Sequence, residues 1–274
     1  MMISLTVVSL ALLSVANAAT TLDISAIEAH FQQALIVPSL LPAFTPTAVL
    51  SVAFSGSAIT PGQALAQADV ATKPVVTVSA VDGTTPLTGS FTIAMVDADV
   101  VGTDESGGVS RHWLENAVTL ESDTVSNASA KTITAYAGPG PASGSGPHRY
   151  VVLLYQQPST FTAPANLSTL VDGVQKFDLT AYVKDSGLGD LVAANYFTVE
   201  VGTDSTSLPV TSSVVTSTLA SAGASGSGVK STGTGSTSAP GPSGSNPPNG
   251  GAASFKLDFA SSVLVAVTMM VLLQ

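Results

Sequence analysis

The sequence predicts a mainly β fold, a two-sheet antiparallel β-sandwich with short peripheral helices, followed by a disordered C-terminal stalk. Short apolar and β-branched runs recur between residues 47 and 201, separated by Gly, Pro and Asp turn signals, and one amphipathic helical pattern precedes them. Several strands joined by irregular loops, with few helices, favour antiparallel sheets packed face to face. Beyond residue 201 the chain consists largely of Ser, Thr, Gly, Ala and Pro, a composition that buries too little apolar surface to order itself.

The helical pattern covers Ile24–Leu35, where Asp23 or Ser25 can cap the first turn and the apolar residues fall on one face. Pro38 and Pro42 end this helix, because proline has no backbone N–H to donate. The strand patterns follow in chain order, at Thr47–Phe54, Val75–Ala80, Phe91–Val96, Trp113–Leu120, Lys131–Tyr136, Tyr150–Tyr155 and Phe197–Val201.

The composition limits the possible functions. The 274 residues include no Cys, which excludes disulfides, zinc–thiolate sites and cysteine nucleophiles. The formal net charge is −10, so the chain lacks the basic stripe that a nucleic-acid partner requires. The sequence contains no nucleophile elbow, no H-E-x-x-H helix and no P-loop. We therefore predict a protein that is not an enzyme, with no catalytic residues, no cofactor and no metal.

The first 18 residues have the pattern of a secretory signal peptide. An apolar core runs from Ile3 to Val15, and Ala16-Asn17-Ala18 follows as a small-x-small cleavage pattern. A buried N-terminal helix or strand is the alternative. The signal peptide predicts a globular domain that begins at residue 19 and extends to residue 201.

The C-terminal residues have the pattern of a glycosylphosphatidylinositol (GPI) anchor signal. The apolar stretch Ala260–Leu273 is short for a membrane span, which needs about 20 residues. A polar spacer at 252–259 precedes it, and the small residues Asn249, Gly250 and Gly251 precede the spacer. We predict Asn249 as the ω-site, with Gly250 or Ser245 as substitutes, and residues 250–274 as the propeptide. A tail-anchored helix is the alternative.

Residues 202–249 form the predicted Ser/Thr/Gly/Pro-rich stalk, whose composition is typical of an O-glycosylated spacer. Two N-x-S/T sequons precede it, and they predict N-glycosylation at Asn127 and Asn166. Together these segments predict an extracellular protein at the cell surface, GPI-anchored to the plasma membrane or cell wall. Membrane contact is then expected through the lipid anchor alone.

One segment points to a binding site. A Gly/Pro/Ser-rich loop from Gly138 to Pro147 leads His148, Arg149 and Tyr150 directly into an apolar strand. Polar side chains at the mouth of a buried strand are costly unless a partner or ligand satisfies them. Glycine also lets backbone N–H groups approach a ligand closely. The arrangement predicts a small anion-holding pocket at a sheet edge.

Carboxylates and imidazoles supply the remaining chemistry of this pocket. Asp97 ends an apolar strand and Asp99 follows it, while two of the three His residues, His112 and His148, lie near the predicted sheet edges. A carboxylate beside an imidazole raises the pKa of that imidazole, and an imidazolium with backbone N–H groups suits an anion. The carboxylates would meet an ammonium group. The third histidine, His30, lies on the predicted helix and is expected to be exposed.

The segment Gly138–Val151 resembles a signature of the phosphatidylethanolamine-binding protein family, G-x-G-P-P-x-G-T-G-x-H-R-Y-V. It matches at the residues Gly138, Gly140, Pro141, Gly144, Gly146, His148, Arg149, Tyr150 and Val151. Ala142 stands where the family has its second proline, and Ser145 stands where it has threonine.

Two further segments extend the resemblance over most of residues 20–201. The family signature D-P-D-A-P corresponds to Asp97–Val101, which keeps both acids and lacks both prolines, and Arg111–Leu114 supplies the matching His. The stretch from Phe177 to Phe197 is similar to the closing strand region of the family. The resemblance to secreted fungal-type members follows from the signal peptide, the stalk and the anchor.

The resemblance implies a central β-sandwich and a pocket for phosphoethanolamine-like groups. The implied ligand-binding residues are Asp97, Asp99, His112, Gly138, Gly140, Pro141, His148 and Tyr150. Arg149 is expected to be a structural partner for a buried acid. The missing prolines imply a freer loop after Asp97 and weaker binding of anions.

Three functions remain open from the sequence. The leading one is a cell-surface or secreted binding module for a small anion or phospholipid head group. The second is a protease inhibitor or protein-interaction domain, with a secreted protease as its partner. The third is a structural cell-wall protein with a vestigial pocket.

The predicted anchor can be tested on intact cells. We expect treatment with phosphatidylinositol-specific phospholipase C to release the protein, because the lipid would be its attachment to the membrane. The released fraction is measured by immunoblot of the medium. Retention in the membrane fraction, with Ala260–Leu273 still detected by mass spectrometry, would rule out the anchor.

Overall fold

The computed structural model describes residues 18–81, 87–203 and 213–219. All of these residues fall in the first of two units, Met1–Ser227, and the second unit, Gly228–Gln274, lies outside the described residues. The predicted signal peptide up to residue 17, the GPI signal and most of the stalk also lie outside them. No helix within the described ranges is long and apolar enough to cross a membrane.

The first helix forms where the sequence predicts it, but a different residue caps it. Helix α1 spans Thr21–Gln33, and Thr20 is its N-cap. The Thr20 hydroxyl accepts from the Asp23 backbone N–H, and the Asp23 carboxylate accepts from the Thr20 N–H at 2.8 Å. This reciprocal capping box satisfies two donors that a helix start leaves unpaired. Asp23 is therefore the third residue of the helix and not its N-cap. A short helix α2 follows at Ile36–Ser39.

A helix α3 occupies Leu179–Ser186, within the stretch that was expected to be part of a closing strand region. Asp178 caps its start by accepting from the Ala181 N–H, and Gly187 ends it with a φ of 68°. The strand expected at Phe197–Val201 begins earlier, at Leu191. Both end signals of α3 are present in the sequence, an acidic N-cap followed by a glycine stop.

Eleven strands form within the described residues. They are β1 (Ala48–Phe54), β2 (Ser57–Ala58), β3 (Gln63–Leu65), β4 (Val75–Ala80), β5 (Ser90–Asp97), β6 (Val109–Glu121), β7 (Thr124–Ser126), β8 (Lys131–Thr134), β9 (His148–Gln157), β10 (Gln175–Phe177) and β11 (Leu191–Val199). The prediction of a mainly β protein with few short helices is confirmed. Part of the predicted disordered stalk is regular, because Thr216–Thr218 forms a 3-10 turn.

The strands form one continuous, curled sheet, whereas the sequence predicted two separate sheets. The hydrogen-bonded order is β2-β1-β4-β7-β6-β5-β9-β11-β3, and β8 and β10 also pair with β6. Strand β6 connects the two halves of this curled sheet. It pairs with β5 as far as Val118, then with β7 from Thr119 onward. Ala117, with a φ of 57°, lies at the change of partner. Irregularities of this kind let one strand pass from one layer to the next.

The central strands β5 and β9 are buried on both faces, which explains their unbroken apolar sequences. On one face, Phe91, Ile93 and Met95 pack against residues of β1 and β4. On the other face, Val96 and Val151 belong to the cluster that contains residues of α1 and α3. The ends of β5 and β9 therefore lie in a rigid layer, and this layer positions the candidate site.

Where β6 approaches β10, position 108 is expected to require glycine. Gly108 has a φ of +84°, and a Cβ there would lie 2.9 Å from the Phe177 carbonyl oxygen. Gly56 has a φ of +83°, with nothing within 4 Å of its Cβ position. We expect Gly56→Ala to destabilise by about 1–2 kcal/mol through backbone strain alone. Gly108→Ala should cost at least about 1 kcal/mol more, because a backbone must also shift. Urea unfolding measures both, and equal losses would contradict the close approach.

Candidate anion-binding site

Asp97 and His148 meet where two central strands begin and end. Asp97 is the last residue of β5, and His148 is the first residue of the antiparallel strand β9. The register pairs Asp97 with Tyr150, which brings these strand ends together at one edge. His148 Nδ1 lies 2.9 Å from Asp97 Oδ2 and 3.1 Å from Oδ1. Two of the side chains that the sequence predicted for one pocket are therefore in direct contact.

The hydrogen bonds of His148 indicate a doubly protonated ring. Ser145 Oγ donates its hydrogen to the Ala142 carbonyl at 2.7 Å, so it can only accept from His148 Nε2, 2.9 Å away. Nδ1 faces the Asp97 carboxylate, which also accepts. The hydrogen bond to Asp97 raises the pKa of His148, against an opposing effect of burial, and the charges of Asp97 and Asp99 raise it further. These contacts favour the protonated form of His148, the imidazolium.

Asp99 supplies a second, more exposed carboxylate. Its backbone has a φ of 56°, and its side chain is 50% exposed, with Oδ1 at 3.6 Å from His148 Nε2. Asp99 N–H donates to Asp97 Oδ1 at 2.7 Å, and Val100 N–H donates to Asp99 Oδ1 at 2.7 Å. These side-chain acceptors constrain the loop at the place where the family signature has prolines, although a freer loop was expected there.

Arg149 contacts the same loop from the protein interior. Its guanidinium is almost fully buried and forms an ion pair with Glu105 at 2.8 Å. It also donates to the carbonyls of Ala34 (2.8 Å), Asp99 (3.1 Å), Val100 (3.0 Å) and Ala98. The prediction that Arg149 pairs with a buried acid is confirmed. Burial raises the pKa of Glu105 to about 7 against the opposing charge of Arg149. The sequence reasoning did not identify Glu105 as that acid.

Tyr150 has a buried hydroxyl that lies near Asp97 and Gly140. Its ring is fully buried and stacks on Phe197 with a centroid distance of 5.6 Å. The hydroxyl makes no hydrogen bond of standard geometry within the described residues. Burial raises the pKa of Tyr150 well above its usual value, the charge of Asp97 and a loose contact with its carboxylate raise it further, and the Gly140 backbone N–H lowers it. The hydroxyl therefore stays a neutral donor whose hydrogen bonding within the site is incomplete.

His112 borders the site through Tyr150. The two rings meet edge to face, with centroids 5.3 Å apart. The pairing of β5 with β6 shifts register between Met95 and Val96, so His112 has no partner residue in β5. Its Nδ1 lies 3.0 Å from the Ala137 carbonyl, which fixes the proton on that nitrogen. His112 thus ties the start of the Gly-rich loop to β6.

The predicted glycines and proline have different surroundings. Gly140 lies near the Tyr150 hydroxyl, on whose pKa its N–H acts. Gly138 packs on another loop instead, and a Cβ there would lie 3.0 Å from Ala71 Cα and 3.1 Å from the Val70 carbonyl oxygen. Close backbone packing therefore accounts for Gly138. Pro141 is buried inside the loop. Gly138 and Pro141 have no described contact with His148 or Asp97.

Other predicted sites lie apart from this one. Asn127 and Asn166 are both exposed, which is compatible with the glycosylation predicted for them. Asn249 lies outside the described residues. Ser145 is a contact of His148 that sequence reasoning missed, although its place three residues before His148 was a usable signal. Within the ranges that the structure describes, no group of three or more His, Cys, Asp or Glu side chains is arranged to hold a metal ion.

Comparisons with known proteins agree on one family. The family model described as "Phosphatidylethanolamine-binding protein" matches residues 52–197. The chain is 29% identical over 169 residues to CEN-like protein 1 of Nicotiana tabacum, which covers 61% of this chain and 89% of that protein. It is 31% identical over 130 residues to the carboxypeptidase Y inhibitor of Saccharomyces cerevisiae, which covers 40% of this chain and 59% of that protein.

A solved structure gives the same result for the fold. It is described as carboxypeptidase Y inhibitor complexed with the cognate proteinase. Its similarity to this chain has a TM-score of 0.52 and a sequence identity of 26%, and it covers 65% of this chain and 95% of that chain. The curled sheet with its short helices is therefore shared with a structurally characterised protein.

The raised pKa of His148 predicts a pH-dependent contribution to stability. A histidine whose folded pKa is raised stabilises the protein below its unfolded pKa, about 6.5, and this stabilisation is lost as the pH rises through the folded pKa. We expect His148→Gln to lose the most stability near pH 5, and the loss to shrink above the folded pKa. Urea unfolding between pH 5 and pH 8 measures the difference.

His30 provides a control of opposite sign. Burial lowers the pKa of this half-buried side chain on α1, which was expected to be exposed. His30→Gln should therefore gain stability relative to the unmodified protein as the pH falls. The same pH trend in both variants would contradict the imidazolium assignment of His148.

Proposed function

Because the chain belongs to the phosphatidylethanolamine-binding protein family, we propose that it is a non-catalytic binding module for a phosphate-bearing head group. The ligand would occupy the site around His148 and Tyr150. The single observation that carries this proposal is the buried Tyr150 hydroxyl, a donor without a well-formed hydrogen bond, beside the contact between His148 and Asp97. A phosphate oxygen would accept from the Tyr150 hydroxyl, and the positive charge of a protonated His148 would attract it, since both His148 ring nitrogens already face Asp97 and Ser145.

The site also has the charges for a zwitterionic ligand. Tyr150 and the Gly140 N–H supply neutral donors, and His148 supplies a positive charge close to them. The Asp99 carboxylate is half exposed and faces the same imidazole from the solvent side. A phosphate would accept from the donors while an ammonium group pairs with Asp99. Phosphoethanolamine has both groups, in free form or as a phospholipid head group.

The proposed location follows from the sequence alone. We propose that the protein is secreted through the signal peptide at 1–18 and held at the cell surface by a GPI anchor on Asn249. Residues 202–249 would form a glycosylated spacer between the domain and the membrane, and Asn127 and Asn166 would carry N-glycans. Each feature is supported by its sequence pattern.

Protease inhibition is the second candidate function. Its support is the similarity to carboxypeptidase Y inhibitor, whose solved structure includes its cognate proteinase and is covered by this chain over 95% of its length. Inhibition would require a protein surface rather than the small pocket. Titration of the domain into a secreted carboxypeptidase, with residual activity as readout, tests it. Unchanged activity at a tenfold excess of the domain would exclude it for that enzyme.

Tyr150→Phe tests the proposed pocket with little risk to the fold. The hydroxyl makes no hydrogen bond of standard geometry within the described residues, so its removal should change the melting temperature little. Binding of phosphoethanolamine at pH 6 should weaken roughly ten- to hundredfold, because a hydrogen bond to an anion contributes about 1.5–3 kcal/mol. Isothermal calorimetry measures the affinity, and His30→Ala is the control that should bind normally.

The pH and the form of the ligand sharpen this test. Affinity should rise as the pH falls through the His148 pKa. Inorganic phosphate and vesicles of phosphatidylethanolamine serve as separate arms. Binding of inorganic phosphate but not of vesicles indicates a free ligand, and binding of vesicles indicates a lipid ligand. The proposal fails if no arm shows binding at pH 6, which would favour a vestigial pocket, or if Tyr150→Phe binds like the unmodified chain.

A further inference from the structure

A second buried arginine lies on the other face of the sheet from the His148 site. Arg111 precedes His112 in β6, but its side chain lies among Phe177, Ala181 and Tyr182, next to α3. The side chains of His112 and Arg111 lie on opposite faces of the sheet, where the pairing of β6 is irregular. His112 contacts the Tyr150 ring, while Arg111 lines a cavity beside α3. Arg111 is 2% exposed.

Arg111 lacks the acceptors that a buried guanidinium requires. Its Nε donates to Thr134 Oγ1 at 2.7 Å, and its Nη2 is buried without any hydrogen bond. Within the described part of the chain, the ion pairs closer than 4.0 Å involve Lys73, His148 and Arg149, and none involves Arg111. Arg149, equally buried, has one carboxylate and four carbonyls.

The shortage of acceptors makes burial of the Arg111 guanidinium energetically costly. Arginine stays protonated in proteins, so burial lowers the pKa of Arg111 without removing its charge. The Phe177 ring, 5.1 Å from the guanidinium carbon, offsets part of the cost through a cation–π contact. A buried guanidinium with Thr134 Oγ1 as its one described acceptor is unfavourable unless water or an anion joins it. The space beside the guanidinium decides which of these fits.

A cavity of about 160 Å³ adjoins the guanidinium. Lys176 also lines it, and Asp178 and Asp185 lie on its wall, but neither carboxylate pairs with Arg111. Asp178 already accepts from the Ala181 N–H at the start of α3. A water molecule takes about 30 Å³ of liquid volume, so the cavity has room for one small oxyanion with some water and is too small for a lipid tail.

We propose that this cavity is a second anion-binding site, in which a small oxyanion accepts hydrogen bonds from the Arg111 guanidinium. Phosphate and carboxylate share the required chemistry, because both present two oxygens to the planar fork of an arginine. The site is independent of the His148 pocket, since the sheet separates them. Binding here stabilises the packing of β6, β10 and α3 around Arg111.

The test uses the His148→Gln variant, in which the first pocket is impaired, and compares it with the double variant His148→Gln, Arg111→Met. Anion binding to the folded state raises the melting temperature with concentration. We expect phosphate or acetate to raise that of the single variant by at least about 2 °C, and to leave that of the double variant unchanged. Sodium chloride at matched ionic strength controls for screening.

Arg111→Lys covers the case in which Arg111→Met does not fold. It keeps the charge but loses the planar fork, so oxyanion affinity measured by calorimetry should fall at least about tenfold. In buffer with low anion content, Arg111→Met should melt at or above the unmodified protein, because it removes an unpaired charge. Equal oxyanion-dependent shifts in Arg111 variants and parent would overturn the proposal, as would chloride shifts as large as those of phosphate.

Discussion

The buried guanidinium of Arg149 is the interaction on which the candidate site depends. It joins the end of α1, through the Ala34 carbonyl, to the loop after β5 and to Glu105. The backbone of β9 holds the same loop, because Ala98 N–H donates to the Arg149 carbonyl at 2.8 Å and Arg149 N–H donates to the Asp99 carbonyl at 2.9 Å. Removing one partner of such a buried pair typically costs about 3–5 kcal/mol, since the other charge is left alone. The position of Asp99, and with it the solvent-side wall of the site, follows from this network.

The sequence predicted those features that depend on local pattern. Strand β4 and the bodies of β5 and β9 were predicted because short, unbroken apolar runs between turn signals are typical of buried strands. A shared pocket for Asp97 and His148 was predicted because both residues adjoin such runs. Their ligand-binding role remains a proposal, but the structure places them in contact at 2.9 Å.

The missed features depend on contacts between distant residues. Nothing in the local sequence shows that β6 pairs with both layers, since that follows from the irregular pairing near Ala117. Glu105 was not distinguishable from other loop acids until Arg149 was placed beside it. The missing partner of Arg111 is also invisible in the sequence, because only the fold shows which charged side chains are buried. The helix α3 is the exception, because its Asp178 and Gly187 end signals were readable.

The pairing of β5 with β9 has a consequence for how the chain reaches its native state. Ser90 pairs with Gln157 and Asp97 with Tyr150, and β9 in turn pairs with β11 near the end of the domain. Such non-local pairings give a high contact order, and domains of this kind fold slowly. During synthesis, β5 and β6 are made well before β9, so one edge of β5 has no partner strand until β9 has emerged. Unpaired apolar strand edges of this kind are prone to aggregation in the interval before folding is complete.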